Sequence, residues 1–250
     1  MGINPSCLAY RFRNGTLQAI KYPHIPDFHD LLHIERQKEL IYRNTLQFVK
    51  GLPANDVLLW GDRGTGKSSL VKSMLGLFGG QGLRLIQVYA MEVLHISDLY
   101  ELLREREEKF ILFFDDLSFE AHEERARVLK SLMDGDIEER PPNVLIYATS
   151  NRRQLMPVKE EEEKFPEESY IERVSLVERF GIRLGFFSFG KREYLSIVKH
   201  LAEKRGLELP QEELERLALD WALHGGFSGR SAQQFIKDLE GRIRLEGYKI

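Results

Sequence analysis

Residues Gly61-Asp62-Arg63-Gly64-Thr65-Gly66-Lys67-Ser68 follow the spacing G-x-x-x-x-G-K-[ST] at every fixed position. These residue types suit the binding of a phosphate tail. Glycines let the backbone curl until successive N–H groups point inward at phosphate oxygens, and the positive end of a following helix reinforces that nest. Lys67 would place a point charge on the outer two phosphates, and the Ser68 hydroxyl would be one ligand of Mg2+. The candidate nucleotide-binding stretch runs from Gly61 through Ser69.

Such a loop needs a carboxylate at the end of a neighbouring strand to hold the waters of the metal. Phe110-Ile111-Leu112-Phe113-Phe114-Asp115-Asp116 supplies five apolar residues and then two acids. Asp115 is the candidate to assist Mg2+, and Asp116 the candidate to orient or deprotonate an attacking water. Glu120 competes for that second role, being close in sequence and longer. Adjacent carboxylates ending a buried strand are costly unless a cation or donors wait there. The alternative without chemistry is a surface turn that happens to open with two aspartates.

The elements that must position these residues are legible as an alternation. Asp56–Trp60 reads as a buried strand running into the glycine-rich turn, and a helix leaves it over Lys67–Phe78. Further strands are expected at Leu83–Val88, Phe110–Phe114, Asn143–Ala148 and Ile182–Phe187, with helices over Ser97–Glu107 and His122–Asp134. Consecutive apolar residues without alternation indicate strands covered on both faces, so the expected fold is α/β, with a five-stranded parallel sheet between helices. After Gly190 no strand pattern remains, and three helices are expected over Lys191–Lys204, Gln211–Leu223 and Arg230–Glu246. The reading divides the chain into an N-terminal hairpin and helix (1–50), a core (51–189) and a helical lid (190–250). In the first segment Asn14-Gly15 tolerates the two positive φ angles of a type I′ turn, which predicts a hairpin used for packing or oligomerisation. The glutamate-rich stretch Pro157–Glu172 reads as a solvated acidic loop rather than a partner-binding element.

Composition narrows the function classes. In 250 residues, 36 Lys+Arg against 39 Asp+Glu give a formal charge of −3, which argues against a chain whose main business is wrapping phosphate backbones. Nucleic acid as a partner stays possible but unsupported. A single cysteine, Cys7, excludes an internal disulfide framework or a zinc cluster. No apolar run approaches the ~20 residues of a membrane helix, and no secretory h-region is present, so no membrane partner and a cytoplasmic location are expected.

With these residues in hand the chain resembles an AAA+ P-loop ATPase. Asn143–Asn151 resembles the strand that ends in the sensor 1 residue, which implies that Asn151 reaches the γ-phosphate or the lytic water. Leu176-Val177-Glu178-Arg179-Phe180-Gly181 resembles the segment carrying the arginine finger, so Arg179 would act on ATP held by a neighbouring subunit. An arginine that neutralises charge on the γ-phosphate adds about 10³–10⁵-fold in rate, which would tie activity to assembly. Arg152 and Arg153 are alternative cations for that interface. Phe227-Ser228-Gly229-Arg230-Ser231 resembles the start of the sensor 2 helix, making Arg230 a phosphate contact in cis. Leu31–Gln37 resembles the box that closes over adenine, with Ile34 among the nucleotide contacts.

Within that class, the strings Leu52-Pro53-Ala54-Asn55, Asp115–Glu120 and Ala148–Arg153 resemble the bacterial family called domain of unknown function 815, over nearly the whole chain. The Arg-Phe-Gly string and the Asp-Asp pair are also similar to the replication-initiator and helicase-loader branch. The resemblance implies an ATP- and Mg2+-dependent homo-oligomer that couples hydrolysis to remodelling or loading of an unidentified macromolecule. A nucleotide-gated adaptor with negligible turnover is the alternative. Three departures stand out: the second acid is the shorter Asp116, His33 replaces a glycine of the adenine box, and Arg63 adds a cation to the loop. All three are compatible with slow turnover.

Overall fold

A computed structural model of the chain describes residues 7–119, 124–134, 139–153, 155 and 175–246. Asn14 and Gly15 adopt φ of 49° and 64°, the two left-handed positions a type I′ turn needs, and close a hairpin of β1 (Ala9–Arg13) and β2 (Thr16–Ala19). Helix α1 (Glu35–Val49) leads to β3 (Val57–Gly61), the glycine-rich loop and α2 (Lys67–Phe78). Then come β4 (Leu83–Val88), α3 (Ile96–Arg104), β5 (Lys109–Phe114), α4 (Glu124–Asp134), β6 (Val144–Ser150) and β7 (Ile182–Phe186). Helices α5 (Lys191–Lys204), α6 (Gln211–Gly225) and α7 (Gly229–Glu246) complete the described chain.

The sheet has seven strands in the order β2-β1-β4-β5-β6-β3-β7, which corrects the expected five. The five expected strands are all there and all parallel; the hairpin adds the other two. Its first strand pairs parallel with β4 (Tyr10 opposite Ile86, Phe12 opposite Val88), and only β2 is antiparallel. Phe12 is buried while Arg11 and Arg13 flank it on the opposite face. That alternation fits an edge of the sheet that is only partly covered, and it made the hairpin look independent of the core in sequence.

Both faces of the central strands are covered. On β5, Ile111 and Phe113 enter the layer with α1, α2 and the C-terminal helices, while Phe110, Leu112 and Phe114 enter the layer with α3 and α4. Burial on both faces is why these strands read as unbroken apolar runs. A polar bridge fixes α1 on the sheet: Asn44 Nδ2 donates to Tyr147 Oη at 2.9 Å and to Asn55 O at 2.8 Å. That helix begins just after Ile34, so the bridge also sets one wall of the cleft described below. Among the described residues no helix is long and apolar enough to cross a membrane.

Asp56 locks the entry to β3. It is buried, its Oδ1 accepts from Ile146 N at 2.7 Å, and its Oδ2 accepts from Arg140 Nη1 at 2.6 Å. Burial pushes its pKa up, and the Arg140 guanidinium works against that shift. Removing one member of a buried pair leaves the other charge unpaired, at about 3–5 kcal/mol. Asp56→Ala should therefore lower the thermal unfolding midpoint by about 6–15 °C. A midpoint unchanged from wild type would contradict this role for the pair.

Candidate active site

The glycine-rich loop begins where β3 meets β7. Gly61 adopts φ 124°, and a Cβ there would lie 2.0 Å from Phe186 O, so only glycine lets the β7 backbone approach. Asp62 N then donates to Phe186 O at 2.9 Å. Gly64 (φ 75°) and Gly66 (φ 100°) complete the curl, and Gly66 caps α2 with no side-chain hydrogen bond. The first N–H groups of α2 have no acceptor within the helix, and no capping side chain competes for them. They open on a cavity of about 610 Å³ lined along one side by Arg63–Ser69. Inside the loop, Thr65 Oγ1 donates to Asp62 O at 2.8 Å, and Lys67 Nζ donates to Gly61 O at 2.8 Å and Asp62 O at 2.6 Å. Burial lowers the Lys67 pKa, while Asp62, Asp116 and Asp115 oppose the shift.

The twin acids meet this loop. Ser68 Oγ donates to Asp115 Oδ1 at 2.5 Å, and Thr149 Oγ1 donates to the same oxygen at 2.8 Å. Lys72 Nζ stands 3.6 Å from Asp115 Oδ2. Asp116 takes φ 60°, a strained value for a residue with a side chain, and its N–H donates to Thr149 Oγ1 at 2.9 Å. Asn151 Nδ2 donates to Asp116 Oδ1 at 2.5 Å, and Asn151 Oδ1 lies 3.4 Å from Lys67 Nζ. The donors that adjacent carboxylates require are thus present, on α2 and at the end of β6. Ser68 and Asp115 offer oxygen ligands only, the set a hard divalent cation takes when substrate phosphates and waters supply the rest. Among the described residues no group of three or more His, Cys, Asp and Glu is placed to hold a metal ion.

The opposite end of the cavity is apolar. Leu31, Leu32 and Ile34 face Ile197 and Leu201 of α5 across it. A Cβ on Gly66 would sit 3.5 Å from Ile34 Cδ1, so loop and wall are in contact. His33 adopts φ 61°, the region glycine favours, yet it does not line the cavity. Its ring turns to Ser196 Oγ at 3.0 Å and packs edge-on against Phe189. The C-terminal helices are tied down at both ends of the cleft. Arg230 N donates to Gly64 O at 3.3 Å, and Lys204 Nζ bonds Asp27 at 2.8 Å and Asp30 at 2.7 Å.

Of the sequence candidates, Arg63, Gly64, Thr65, Gly66, Lys67, Ser68, Ser69, Ile34, Asp115, Asp116, Asn151 and Arg230 border this one cavity. Gly61 and Asp62 lie behind it. Gly61 shapes the loop, and the Asp62 carboxylate turns outward to Ser188, accepting from its N at 2.7 Å and its Oγ at 2.6 Å. Arg179 is not on the cavity of its own chain and pairs with Asp134. Glu120 and Pro157–Glu172 fall outside the described residues. Sequence reasoning missed Thr149 and Lys72 as partners of the acids and Gln87 as a lining residue of the cavity. Thr149 and Lys72 carried a faint signal, one two residues before Asn151 and the other one helical turn after Ser68. Gln87 carried none.

A seven-stranded sheet with this loop after β3 and the acids after β5 has the AAA+ P-loop fold, which solved structures share. RuvB of Thermotoga maritima, a Holliday junction branch migration motor, superposes with a TM-score of 0.60 at 17% identity, covering 89% of this chain and 66% of RuvB. The chain thus spans less than two thirds of that protein. Aeropyrum pernix ORC1, solved with DNA, gives a TM-score of 0.62 at 14% identity, covering 88% and 65%. The AAA domain of FIGL-1, solved with ADP, gives 0.55 at 19% identity, covering 88% and 75%. A family model described as protein of unknown function DUF815 matches residues 5–243, and the chain belongs to that family. No curated protein matches it in sequence.

Hydrogen bonds from Ser188 hold the Asp62 pKa below the usual carboxylate range. A carboxyl lowered in this way adds stability above its unfolded pKa, and the gain fades as pH falls through the folded value. Because Asp62 is exposed, the effect on stability is small. The titration itself is the cleaner measurement. In Ser188→Ala the Asp62 carboxyl, followed by NMR, should move up toward 3.8. No movement would mean that the backbone N–H alone sets the value.

Proposed function

We propose that the protein binds ATP in the cleft between core (51–189) and lid (190–250) and hydrolyses it slowly to ADP and phosphate. The observation that carries this reading is the Ser68–Asp115 hydrogen bond, which brings the phosphate loop and the strand-end acid to one point. Asp115 and Ser68 would hold Mg2+, whose bound charge offsets that of the phosphate tail. Lys67 binds the outer phosphates by exchanging its loop carbonyls for phosphate oxygens. Arg230, fixed beside Gly64, contacts the tail from the lid side. Leu31, Leu32, Ile34, Ile197 and Leu201 supply a slot for a flat base. Asp116 and Asn151 sit together beyond Lys67, where they orient the attacking water, and Asp116 is the group placed to accept its proton.

Arg179 completes the site from a neighbouring subunit in this reading. It is remote from the cavity of its own chain, as a trans-acting group must be. Assembly then controls turnover, and the energy is applied to a macromolecular client. The neighbours support this by analogy: one was solved with ADP, one with DNA, and one is a DNA motor. The adaptor reading gains from one observation, the tight Asn151–Asp116 contact, which occupies part of the proposed base.

Lys67→Ala should abolish ATP binding by calorimetry, and wild-type turnover in that variant would remove the basis of the proposal. Arg179→Ala should bind ATP normally and hydrolyse it about 10³-fold more slowly. Mixed with Asp116→Asn, it should recover part of the activity, because each protein supplies what the other lacks. An absence of rescue at every mixing ratio would argue against a shared site.

A further inference from the structure

Arg179 is held on its own chain by a contact that uses its whole fork. Nε donates to Asp134 Oδ1 at 2.8 Å and to Oδ2 at 3.0 Å, while Nη2 donates to Oδ2 at 2.8 Å. Nη1 donates to Ser175 O at 2.5 Å. Each of the three guanidinium nitrogens is therefore engaged within the subunit. Asp134 comes from the end of α4, and Arg179 directly follows the helical residues 175–178, so the pair bridges two separate segments. Neither residue lines the cavity.

We propose that Asp134 is a latch, a positioning residue that withholds Arg179 until a nucleotide-loaded copy of the chain docks against it. The inference rests on the reading of Arg179 as an arginine that acts in trans. The Nε–Nη2 edge that grips Asp134 cannot also grip a phosphate, and the carboxylate on it offsets the charge the guanidinium would bring to one. Bringing that edge and the full positive charge to a neighbour's nucleotide requires breaking the bidentate contact first.

The strength of the contact suits a releasable device. A bidentate arginine–carboxylate pair is the strong form of an ion pair. Here, though, the side chains are 25% and 43% exposed, and water and salt weaken it. Asp134 offers one negative charge at a wet surface. A triphosphate tail offers several, in a cleft where screening is lower. The exchange from Asp134 to phosphate is therefore favourable once the neighbour's cleft is filled and close, and unfavourable in a lone subunit. Turnover stays low until both conditions are met.

The test is ATP hydrolysis over a range of protein concentrations, with nucleotide affinity measured in parallel, for wild type, Asp134→Asn, Asp134→Glu and Arg179→Ala. Asp134→Asn should keep the wild-type nucleotide affinity and reach half-maximal activity at about fivefold lower protein concentration. Asp134→Glu, which restores the carboxylate, should return the curve toward wild type. A concentration dependence unchanged in Asp134→Asn overturns the latch. So does a loss of activity like that of Arg179→Ala, because Asp134 would then align the arginine rather than withhold it. If Arg179→Ala is as active as wild type at every concentration, the trans-acting reading fails and the latch falls with it. Should Asp134→Asn prove unstable by thermal melting, Asp134→Ser removes the same charge and is judged by the same curve.

Discussion

One hydrogen bond, from Ser68 Oγ to Asp115 Oδ1, holds the account together. It joins the first turn of α2 to the end of β5, two segments that are not neighbours in the sheet. Strand β6 lies between β5 and β3, and its last residues fill the gap. Thr149 donates to Asp115 and receives the N–H of Asp116, and Asn151 spans the distance from Asp116 to Lys67. Parallel strands place all these residues at one edge, the carboxyl ends, where open α/β sheets bind ligands. The left-handed Asp116 is the local cost of turning the second acid toward Asn151 rather than along the strand.

Much of this was legible because the residues involved have few alternatives. Gly61, Gly64 and Gly66 all adopt positive φ, and their spacing marks a curl that side chains would obstruct. The strands buried on both faces had to be apolar throughout, so Phe110–Phe114 and Val57–Leu59 stood out. The hairpin was harder. Its turn was plain, but its parallel pairing with β4 is a long-range contact that local pattern does not encode. The role of Thr149 was hidden for a similar reason: a threonine in a buried strand reads as strand propensity until the neighbouring strand supplies its partner. His33 stood out in sequence only as a departure from glycine. Its ring is drawn onto Ser196 and Phe189, a choice made by the C-terminal helices and invisible in the segment itself.

Residues from the strand-and-loop segment and from the C-terminal helices both border the cleft, and ties between them stand at each end. At the loop end, Arg230 rests on Gly64, whose missing Cβ leaves room for Ser228. At the far end, Asp27 and Asp30 hold Lys204, and His200 joins Asp30 at 3.0 Å. A ligand that fills the space between these two ties would be sensed by both halves at once. Arg179, tied to Asp134 on another surface, is where a second subunit would enter the same circuit.

The central claim is that the loop and the acid share one metal-assisted phosphate tail. Titration calorimetry with ATP, in Mg2+ and in chelator, tests it most directly on wild type and Asp115→Asn. One site per chain is expected, with binding tightened by Mg2+ in wild type and indifferent to Mg2+ in Asp115→Asn. Equal Mg2+ dependence in the two proteins, or an absence of binding in wild type, would contradict it.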